Sequence, residues 1–466
     1  MVAEYELKIL RREYNIKKRP IVFDFKKAVT YLLSSTNNEF NRYFHYIHYY
    51  PGRIYPYIVL YILSLKDFIH LNGFLLDPFA GSGTILLESI INPVLKRNAL
   101  GIEINPLGRL ICKVKTTPID PTIINQLIKE IRMLYTKKVN PSDCVPKSQN
   151  LNLWFSAKAI EKLAILKYAI KNLNTHIDYK DFFWLCFSSI IRKISKADPY
   201  IPPPVVLKLE KYKNSPKKYQ KLRKHLDCTE DPDVWTLFEN AVKTNITKLN
   251  YLNNIRELKN KLVTAKVIWD DARNIKNGQL VECGRINKNS IKELPSNSID
   301  IIFTSPPYLT AQKYIRTSRL ELLWLGYTEK EISNLDKISI GTERVSVDIR
   351  IRKLGIDSID SLINHTSSEE RKKLVYSYFE NMIKVLKEIY RLLKRGGYAI
   401  FVVGDNKVSG KMVNTYRLLT DAAINEGFEE LLILKDEIRV RSMMTKRNGT
   451  GGIIRDEYVI ILKKEG

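Results

Sequence analysis

The segment from Ser305 to Tyr308 places one hydroxyl, two prolines and one aromatic ring in four consecutive residues. It follows the apolar run Ile299 to Phe303, whose β-branched and aromatic residues predict a buried strand. The prolines restrict the backbone and lack N–H groups, so the loop after the strand should be stiff, with carbonyls free to accept hydrogen bonds. A hydroxyl, carbonyl acceptors and an aromatic plate can together hold a flat heterocycle by its amino group and its face. The segment therefore predicts a pocket for an amino-bearing base.

A second segment, Phe74 to Glu88, strengthens that interpretation, because the tetrapeptide alone is also typical of a surface turn or a polyproline ligand. Here an apolar strand runs into a loop with Gly81 and Gly83, and a helical pattern follows. Glycines let the backbone approach a ligand closely, and helix N-terminal amides would face that ligand. The lysine and hydroxyl pair of a phosphate-binding P-loop does not follow. Glu103, at the end of the next predicted strand, is suited to accept hydrogen bonds from ribose hydroxyls. These features predict a nucleoside-binding α/β unit.

The charge balance indicates a polyanionic partner. The chain carries 76 Lys and Arg against 50 Asp and Glu, a net charge of +26. A field of this sign attracts nucleic acid, although a basic proteome or a solvated lysine surface would give the same composition.

The five cysteines show no metal-ligand spacing, so we expect reduced structural cysteines and no metal site. The chain also shows neither a secretory signal nor an apolar run long enough for a membrane helix. This pattern predicts a soluble, cytoplasmic protein.

The order of the patterns predicts an α/β protein interrupted by helices. The length allows two or three domains, or one α/β domain with large insertions. Residues 121–262 show helical periodicity, many lysines and no strand-like alternation. Short apolar strands return afterwards, and a long helix over about 369–393 should lead into a further strand. We predict an N-terminal segment and cofactor-binding half over 1–120, a basic helical insert over 121–262, and a catalytic half over 263–466.

Positive charge concentrates within the insert, close to three consecutive prolines and interleaved with two tyrosines. Such a stretch suits a surface that follows nucleic-acid phosphates, and a solvated helix face is the alternative. The candidate nucleic-acid-binding residues are Lys208, Lys211, Lys213, Lys217, Lys218, Lys221, Arg223 and Lys224.

With these residues assembled, the chain resembles the S-adenosylmethionine-dependent DNA amino-methyltransferases, and most closely the N4-cytosine branch. Asp77 to Thr84 stands in the place of the family signature Asp-Pro-Phe-x-Gly-x-Gly-Thr. Ser305 to Tyr308 stands in the place of the catalytic signature, which is Ser-Pro-Pro-Tyr in the N4-cytosine branch and Asp-Pro-Pro-Tyr in most N6-adenine enzymes. The resemblance covers roughly residues 45–120 and 265–465.

Two further segments carry the resemblance. Asp271-Ala272-Arg273 is similar to the family's Gly-Asp-Ala-Arg, with Asp270 in the glycine's position. Tyr49 to Pro56 looks like the segment near the methionine end of the cofactor, and it contains Arg53.

The resemblance implies a Rossmann-like class I methyltransferase sheet and S-adenosylmethionine as the cofactor. By analogy, the insert between the two halves would recognise the DNA target. Ser305, Pro306, Pro307 and Tyr308 would form the catalytic segment. The cofactor-binding residues implied in this way are Arg53, Asp77, Pro78, Phe79, Gly81, Ser82, Gly83, Thr84, Glu103, Asp271 and Thr304.

The expected activity is site-specific transfer of a methyl group to the N4 amino group of cytosine in duplex DNA. The target base must be flipped out of the helix, and neither a covalent intermediate nor a metal is required. An N6-adenine DNA methyltransferase, an RNA base methyltransferase and a non-catalytic DNA-binding subunit remain as alternatives. The resemblance also raises a cognate restriction endonuclease as a possible companion system.

Overall fold

A mixed eight-stranded sheet positions both predicted motifs. The computed structural model describes residues 7–34, 42–71, 73–268, 271–280, 286–309, 313–343, 348–408, 410–438 and 455–465. The strands within these ranges are β1 Ile21–Val22, β2 Phe74–Asp77, β3 Ala99–Gly101, β4 Ala265–Val267, β5 Lys276–Leu280, β6 Ile286–Glu293, β7 Ile299–Thr304, β8 Leu393–Gly404, β9 Asn406–Val408, β10 Lys411–Val413, β11 Phe428–Glu437 and β12 Asp456–Lys464.

The strand order of the large sheet is β1-β11-β12-β8-β7-β2-β3-β4. The five neighbours β8, β7, β2, β3 and β4 are all parallel, whereas β12 runs antiparallel between β8 and β11. From β2 the chain proceeds to β3 and β4 on one side, and it then returns to β7 and β8 on the other. The order therefore reverses between β2 and β7, and ligands of open α/β sheets bind beyond the carboxyl ends of the strands at such a switch point.

Helices cover both the sheet and the region between β3 and β4. They are α1 Leu7–Lys17, α2 Phe25–Ser34, α3 Pro56–Leu63, α4 Lys66–Ile69, α5 Thr84–Ile91, α6 Pro106–Thr116, α7 Pro121–Thr136, α8 Leu151–Trp154, α9 Ala157–Lys171, α10 Ile177–Ile194, α11 Pro216–Glu230, α12 Val234–Leu249, α13 Arg256–Lys259, α14 Tyr314–Thr317, α15 Arg319–Trp324, α16 Glu329–Ile338, α17 Asp357–Asn364, α18 Glu369–Leu392 and α19 Thr415–Asn425. The predicted α/β class is confirmed by this arrangement.

Strand β7 forms because its residues can be buried on both faces. Every residue of β7 is buried, as expected for a central parallel strand with helices on each side. Asp300 is a charged exception in this apolar strand, and its carboxylate pairs with Lys394 at 2.9 Å. The apolar sequence of this strand therefore fixes its position in the middle of the sheet.

The predicted helical character of the insert is confirmed, because residues 121–262 form α7 to α13 with short 3-10 turns. These helices enclose a second apolar core, which includes Phe187 of α10 and Trp324 of α15. The two rings lie edge to face at 6.2 Å between centroids. The helical region thus packs against the chain that follows the catalytic segment. Its assignment as a separate target-recognition domain stays a prediction.

The long helix leads directly into the next strand, as expected. α18 ends at Leu392 and β8 begins immediately at Leu393. Between the pairs Ile299–Leu393 and Ile301–Tyr398 the register shifts, and Gly396 in this irregular part has a φ of +75°. The glycine therefore accommodates a bulge inside the strand, because it adopts this backbone conformation without a Cβ clash.

No helix within the described ranges has the length and apolarity that crossing a membrane requires. These residues also contain no group of three or more His, Cys, Asp or Glu side chains that could hold a metal ion. Asp270 and the basic, glycine-rich segment 439–452 lie outside them.

Gly83 allows α5 to approach α6 closely, which makes it a test of the fold. It has a φ of +72°, and an added Cβ would lie 3.0 Å from Sγ and 3.2 Å from Cα of Cys112. Gly355 has a similar φ of +79° but nothing within 4 Å of the added Cβ. Gly355→Ala should lower the free energy of unfolding by about 1 kcal/mol, because only its backbone conformation is unfavourable for alanine. Gly83→Ala should lower it by about 1–3 kcal/mol more, because its added Cβ also overpacks the contact with α6. Denaturant unfolding of both variants measures the difference, and equal losses would show that α5 and α6 separate without cost.

Candidate active site and nucleic-acid interface

The two predicted motifs meet through one buried hydrogen bond. The hydroxyl of Thr304, the last residue of β7, donates to Oδ1 of Asp77 at 2.6 Å. Asp77 is the last residue of β2, and its Oδ1 also accepts from the backbone N–H of Phe79 at 3.1 Å. Adjacent parallel strands end side by side, so the bond holds the start of the glycine loop beside the start of the Ser305 segment. The structure therefore brings the two motifs together at the switch point.

The glycine loop takes the conformation that its sequence suggests. Gly81 has a φ of +52° and Gly83 has a φ of +72°, and Thr84 begins α5. Ser82 and Thr84 are buried, whereas Phe79 is only partly buried. Positive φ values at both glycines turn the backbone tightly from strand to helix. The loop consequently directs the N-terminus of α5 toward the switch point.

Glu103 fixes this loop from the end of β3. One carboxylate oxygen accepts from the N–H of Gly81 at 2.6 Å, and the other accepts from the N–H of Asn105 at 2.7 Å. Burial raises the pKa of Glu103 to about 7, and the two backbone hydrogen bonds oppose that rise. Glu103 is only 7% exposed. Its carboxylate thus shapes the loop, and its predicted role toward ribose hydroxyls stays a prediction.

The Ser305 segment is held mainly by its second proline and its tyrosine. Pro306 is buried, while Ser305, Pro307 and Tyr308 remain partly exposed. The Pro307 carbonyl accepts from the Tyr378 hydroxyl at 2.9 Å. That carbonyl is therefore not free, contrary to the expectation for the loop as a whole. No described residue donates to the Pro306 carbonyl, which is the acceptor that the predicted base contact needs.

Two tyrosines outside the predicted set of site residues lie beside the glycine loop and the Tyr49 to Pro56 segment. Tyr50 lies 3.4 Å from Glu103 through its hydroxyl, and its ring is the nearest neighbour of a Cβ built on Gly81. Tyr314 of α14 covers Gly52, whose added Cβ would lie 3.1 Å from the tyrosine hydroxyl. Burial and the nearby Glu103 charge raise the pKa of both tyrosines. Tyr50 lies within the Tyr49 to Pro56 segment that carries part of the resemblance, whereas the sequence around Tyr314 gave no signal.

Two predicted cofactor residues have protein partners in the structure. The Arg53 guanidinium donates to the His45 carbonyl at 2.8 Å and lies over the Tyr46 ring at 4.6 Å. The carboxylate of Asp271 forms a bidentate pair with Arg273, with both contacts at 2.8 Å. Their predicted contacts with the cofactor stay predictions.

The basic stretch lies on the surface of the helical insert. Five of its eight cations are on α11, and the others flank or lie in the 3-10 turn Leu209–Tyr212. All eight are exposed, and none forms an ion pair with an acidic residue of the described chain. Lys218 lies over the Tyr200 ring at 5.5 Å. Exposed cations without acidic partners can neutralise phosphates without first breaking an ion pair.

The neighbouring proline loop is rigidly supported. The Arg192 guanidinium donates to the carbonyls of Ile201 and Pro202 and to that of Asp198 at 3.2 Å. The Asp198 carboxylate accepts from the Tyr212 hydroxyl at 2.6 Å, which ties the loop to the basic stretch. The interior of the loop is therefore occupied by one arginine.

The fold and site have the arrangement typical of α/β enzymes that bind a nucleoside-containing ligand at the switch point. Residues 299–466 match the N6/N4 DNA methylase family model. The Type II methyltransferase M.MvaI of Kocuria varians is 27% identical over 433 residues, which cover 87% of this chain and 85% of the relative. The Type II methyltransferase M.BsoBI of Geobacillus stearothermophilus is 23% identical over 400 residues, which cover 77% and 74%.

Among solved structures, a protein of Thermus thermophilus provisionally described as a DNA modification methylase was determined in complex with S-adenosyl-L-methionine. It is 18% identical, covers 37% of this chain and 50% of that chain, and has a TM-score of 0.19. A TM-score of 0.19 is too low to support a conclusion about the fold of this chain.

The family model and the relatives confirm the predicted resemblance to S-adenosylmethionine-dependent DNA amino-methyltransferases. They support a site-specific DNA methyltransferase of the N6/N4 type. The family model covers both N6 and N4 enzymes, so the match does not distinguish between the two target bases.

The buried carboxyl of Asp77 gives a prediction about pH. Burial raises its pKa from 3.8 to about 7, against the hydrogen bonds from Thr304 and Phe79. The folded state then retains a proton that the unfolded chain has lost, so this group's stabilising contribution declines as pH rises from 3.8 to about 7. Asp77→Asn keeps an oxygen acceptor but cannot ionise, and its stability relative to the unsubstituted chain should increase across that window.

The measurement is denaturant unfolding at several pH values, with Asp231→Asn as the control. Asp231 is exposed, and hydrogen bonds from Lys158 and Lys162 lower its pKa to about 2. The difference in free energy of unfolding between Asp231→Asn and the unsubstituted chain should therefore stay nearly constant over the same window. A constant difference for Asp77→Asn as well would contradict the buried, proton-retaining carboxyl.

Proposed function

We propose that this protein transfers a methyl group from S-adenosylmethionine to the N4 amino group of cytosine in duplex DNA. The observation that carries the proposal is the hydrogen bond between Thr304 and Asp77. It places the serine of the Ser-Pro-Pro-Tyr segment beside the glycine loop, so a bound cofactor and an amino-bearing base would meet at one point. Bringing two reactants together in a fixed geometry is a major source of rate enhancement.

The residues at the switch point suit S-adenosylmethionine. The loop with Gly81 and Gly83 leads into the positive N-terminal end of α5, which favours a carboxylate such as that of the amino-acid portion. Glu103 supplies acceptor oxygens for ribose hydroxyls, and Asp271 supplies them for the adenine amino group. The proposed cofactor-binding set also includes Arg53, Asp77 to Phe79, Ser82, Thr84 and Thr304. S-adenosylmethionine supplies the electrophilic methyl group.

The Ser305 segment would hold the target base. The Ser305 hydroxyl and the Pro306 carbonyl accept hydrogen bonds from the two amino hydrogens, and the Tyr308 ring stacks on the base. These acceptors orient the nitrogen lone pair and stabilise the positive charge that develops on nitrogen. A serine at the first position, in place of the aspartate typical of N6-adenine enzymes, favours cytosine as the target. The base must leave the duplex to reach this pocket.

The basic stretch gives the DNA a separate binding surface. Its eight exposed cations, from Lys208 to Lys224, can follow the phosphate backbone, and the Arg192-supported proline loop lies beside them. Phosphate contacts of this kind position a protein on DNA without reading the sequence. The relatives named as Type II methyltransferases also motivate the prediction of a cognate restriction endonuclease.

Labelled S-adenosylmethionine, offered with duplex DNA or RNA, tests the reaction, and mass spectrometry of the nucleosides identifies the product. We expect transfer to DNA and N4-methylcytosine. Ser305→Ala should lower the turnover rate and leave cofactor affinity unchanged, because the hydrogen bond matters most in the transition state. N6-methyladenine would refute the base assignment, transfer to RNA alone would refute the DNA assignment, and no transfer to either would refute the activity.

The salt dependence of DNA binding tests the basic stretch. Each neutralised phosphate adds about 0.9 to the slope of log affinity against log salt. Replacing Lys217 and Lys221 by glutamine should flatten the slope by up to about 1.8. The control replaces Lys243 and Lys384, helical lysines that already pair with Glu239 at 2.9 Å and Glu380 at 3.6 Å. If both double variants have the same slope, the basic stretch does not neutralise phosphates and is only a solvated surface.

A further inference from the structure

Three hydrogen bonds from three different elements hold residues 307–309. Tyr378 of α18 donates to the Pro307 carbonyl at 2.9 Å, and Asn406 of β9 donates through its side-chain amide to the Leu309 carbonyl at 3.0 Å. The third bond runs from the Tyr308 hydroxyl to Oε1 of Glu457 at 2.9 Å. The first two bonds fix the path of the backbone. Only the third of them acts on a side chain, and that side chain is the proposed stacking ring.

Glu457 is well placed for this contact and has no evident other use. It lies near the start of β12, where it pairs across the sheet with Gly404 of β8 and Asp436 of β11. No cation of the described chain pairs with its carboxylate. This residue is partly buried, and loss of water is unfavourable for a carboxylate without a cation, so its hydrogen bond with tyrosine compensates for part of that cost. Stability alone therefore gives little reason to place an acid here.

The electrostatics agree with a tyrosine donor and a carboxylate acceptor. Burial raises the pKa of Tyr308 well above its usual value, and the nearby Glu457 charge raises it further. Burial also raises the pKa of Glu457, while the hydrogen bond from Tyr308 lowers it. The Tyr308 phenol thus stays protonated and donates a hydrogen bond to the Glu457 carboxylate.

From this geometry, and on the basis of the proposed function, we propose that Glu457 is a positioning residue that holds the Tyr308 ring in place for stacking on the target base. A tyrosine ring turns about two side-chain torsions, and a base entering the pocket must otherwise order them. The phenolic oxygen lies on the rotation axis of the second torsion, so anchoring it fixes the first torsion and restricts the second only through the preference of the hydroxyl hydrogen for the ring plane. Prior ordering of this kind reduces the entropic cost of binding and maintains reactive alignment.

A double-mutant cycle of methyl transfer to duplex DNA tests the proposal. Glu457→Ala should lower kcat/KM by about 10-fold to about 100-fold, the range expected for a loosened reactive alignment. Tyr308→Phe keeps the ring but loses the hydrogen bond to Glu457, so its kcat/KM should fall to a similar level. The double variant should fall no further, because each change removes the same hydrogen bond. Tyr308→Ala removes the ring and should be the least active.

Two control variants separate positioning from a general structural effect. Glu457→Gln keeps an oxygen acceptor and should retain most of the activity. Asp456→Ala changes the neighbouring acid of β12, which pairs with Lys435 at 3.2 Å, and should change activity little. Cofactor affinity and the thermal midpoint should be similar in all active variants.

The outcomes distinguish this inference from the proposed function. Multiplicative losses in the double variant, or full activity of Glu457→Ala, would overturn the positioning role while methyl transfer by the unsubstituted chain still stands. Failure of Glu457→Gln to retain more activity than Glu457→Ala would also overturn it. Absence of methyl transfer by the unsubstituted chain would overturn the proposed function and this inference with it.

Discussion

The hydrogen bond between Thr304 and Asp77 is the contact on which the arrangement of the site depends. Both residues are the last of their strands, and both are almost fully buried. A buried carboxyl needs a partner, and this one is served by a hydroxyl from the catalytic strand and an amide from the glycine loop. One side chain thereby connects the two halves of the switch point. The proposed meeting of a cofactor and a base follows from that connection.

A second layer of buried polar groups holds the loops that carry the chemistry. Glu103 accepts from the amide of Gly81, Tyr378 donates to the Pro307 carbonyl, and Glu457 accepts from the Tyr308 hydroxyl. Glu103 follows β3, Tyr378 lies in α18 and Glu457 lies in β12, so these bonds tie the loops to the sheet and its helices. Active-site groups held in this way need little reorganisation during reaction. The rigidity that the prolines provide locally is thus extended by tertiary hydrogen bonds.

The helical insert contributes in another way. It builds its own apolar core, which reaches Trp324 beyond the catalytic segment, and it leaves eight cations exposed without described acidic partners. The apolar core orients the insert relative to the active site, whereas the exposed cations suit a polyanion. One unit can therefore provide a DNA surface in fixed relation to the pocket, and electrostatic attraction would act over a longer range than the contacts within the pocket.

The sequence by itself determined the strands that end at Asp77 and Thr304, the strand before Glu103, the glycine loop, the helical insert and the resemblance to amino-methyltransferases. These features depend on local periodicity, turn chemistry and short motifs, all of which lie within one stretch of chain. Tertiary structure alone decided that Tyr378 and Glu457 hold the Ser305 segment and that Tyr50 and Tyr314 lie beside the glycine loop and Gly52. Those contacts join residues that are mostly distant in sequence, and a single tyrosine or glutamate carries no pattern that would reveal its partner. Only packing of the sheet against its helices brings such residues within hydrogen-bonding distance.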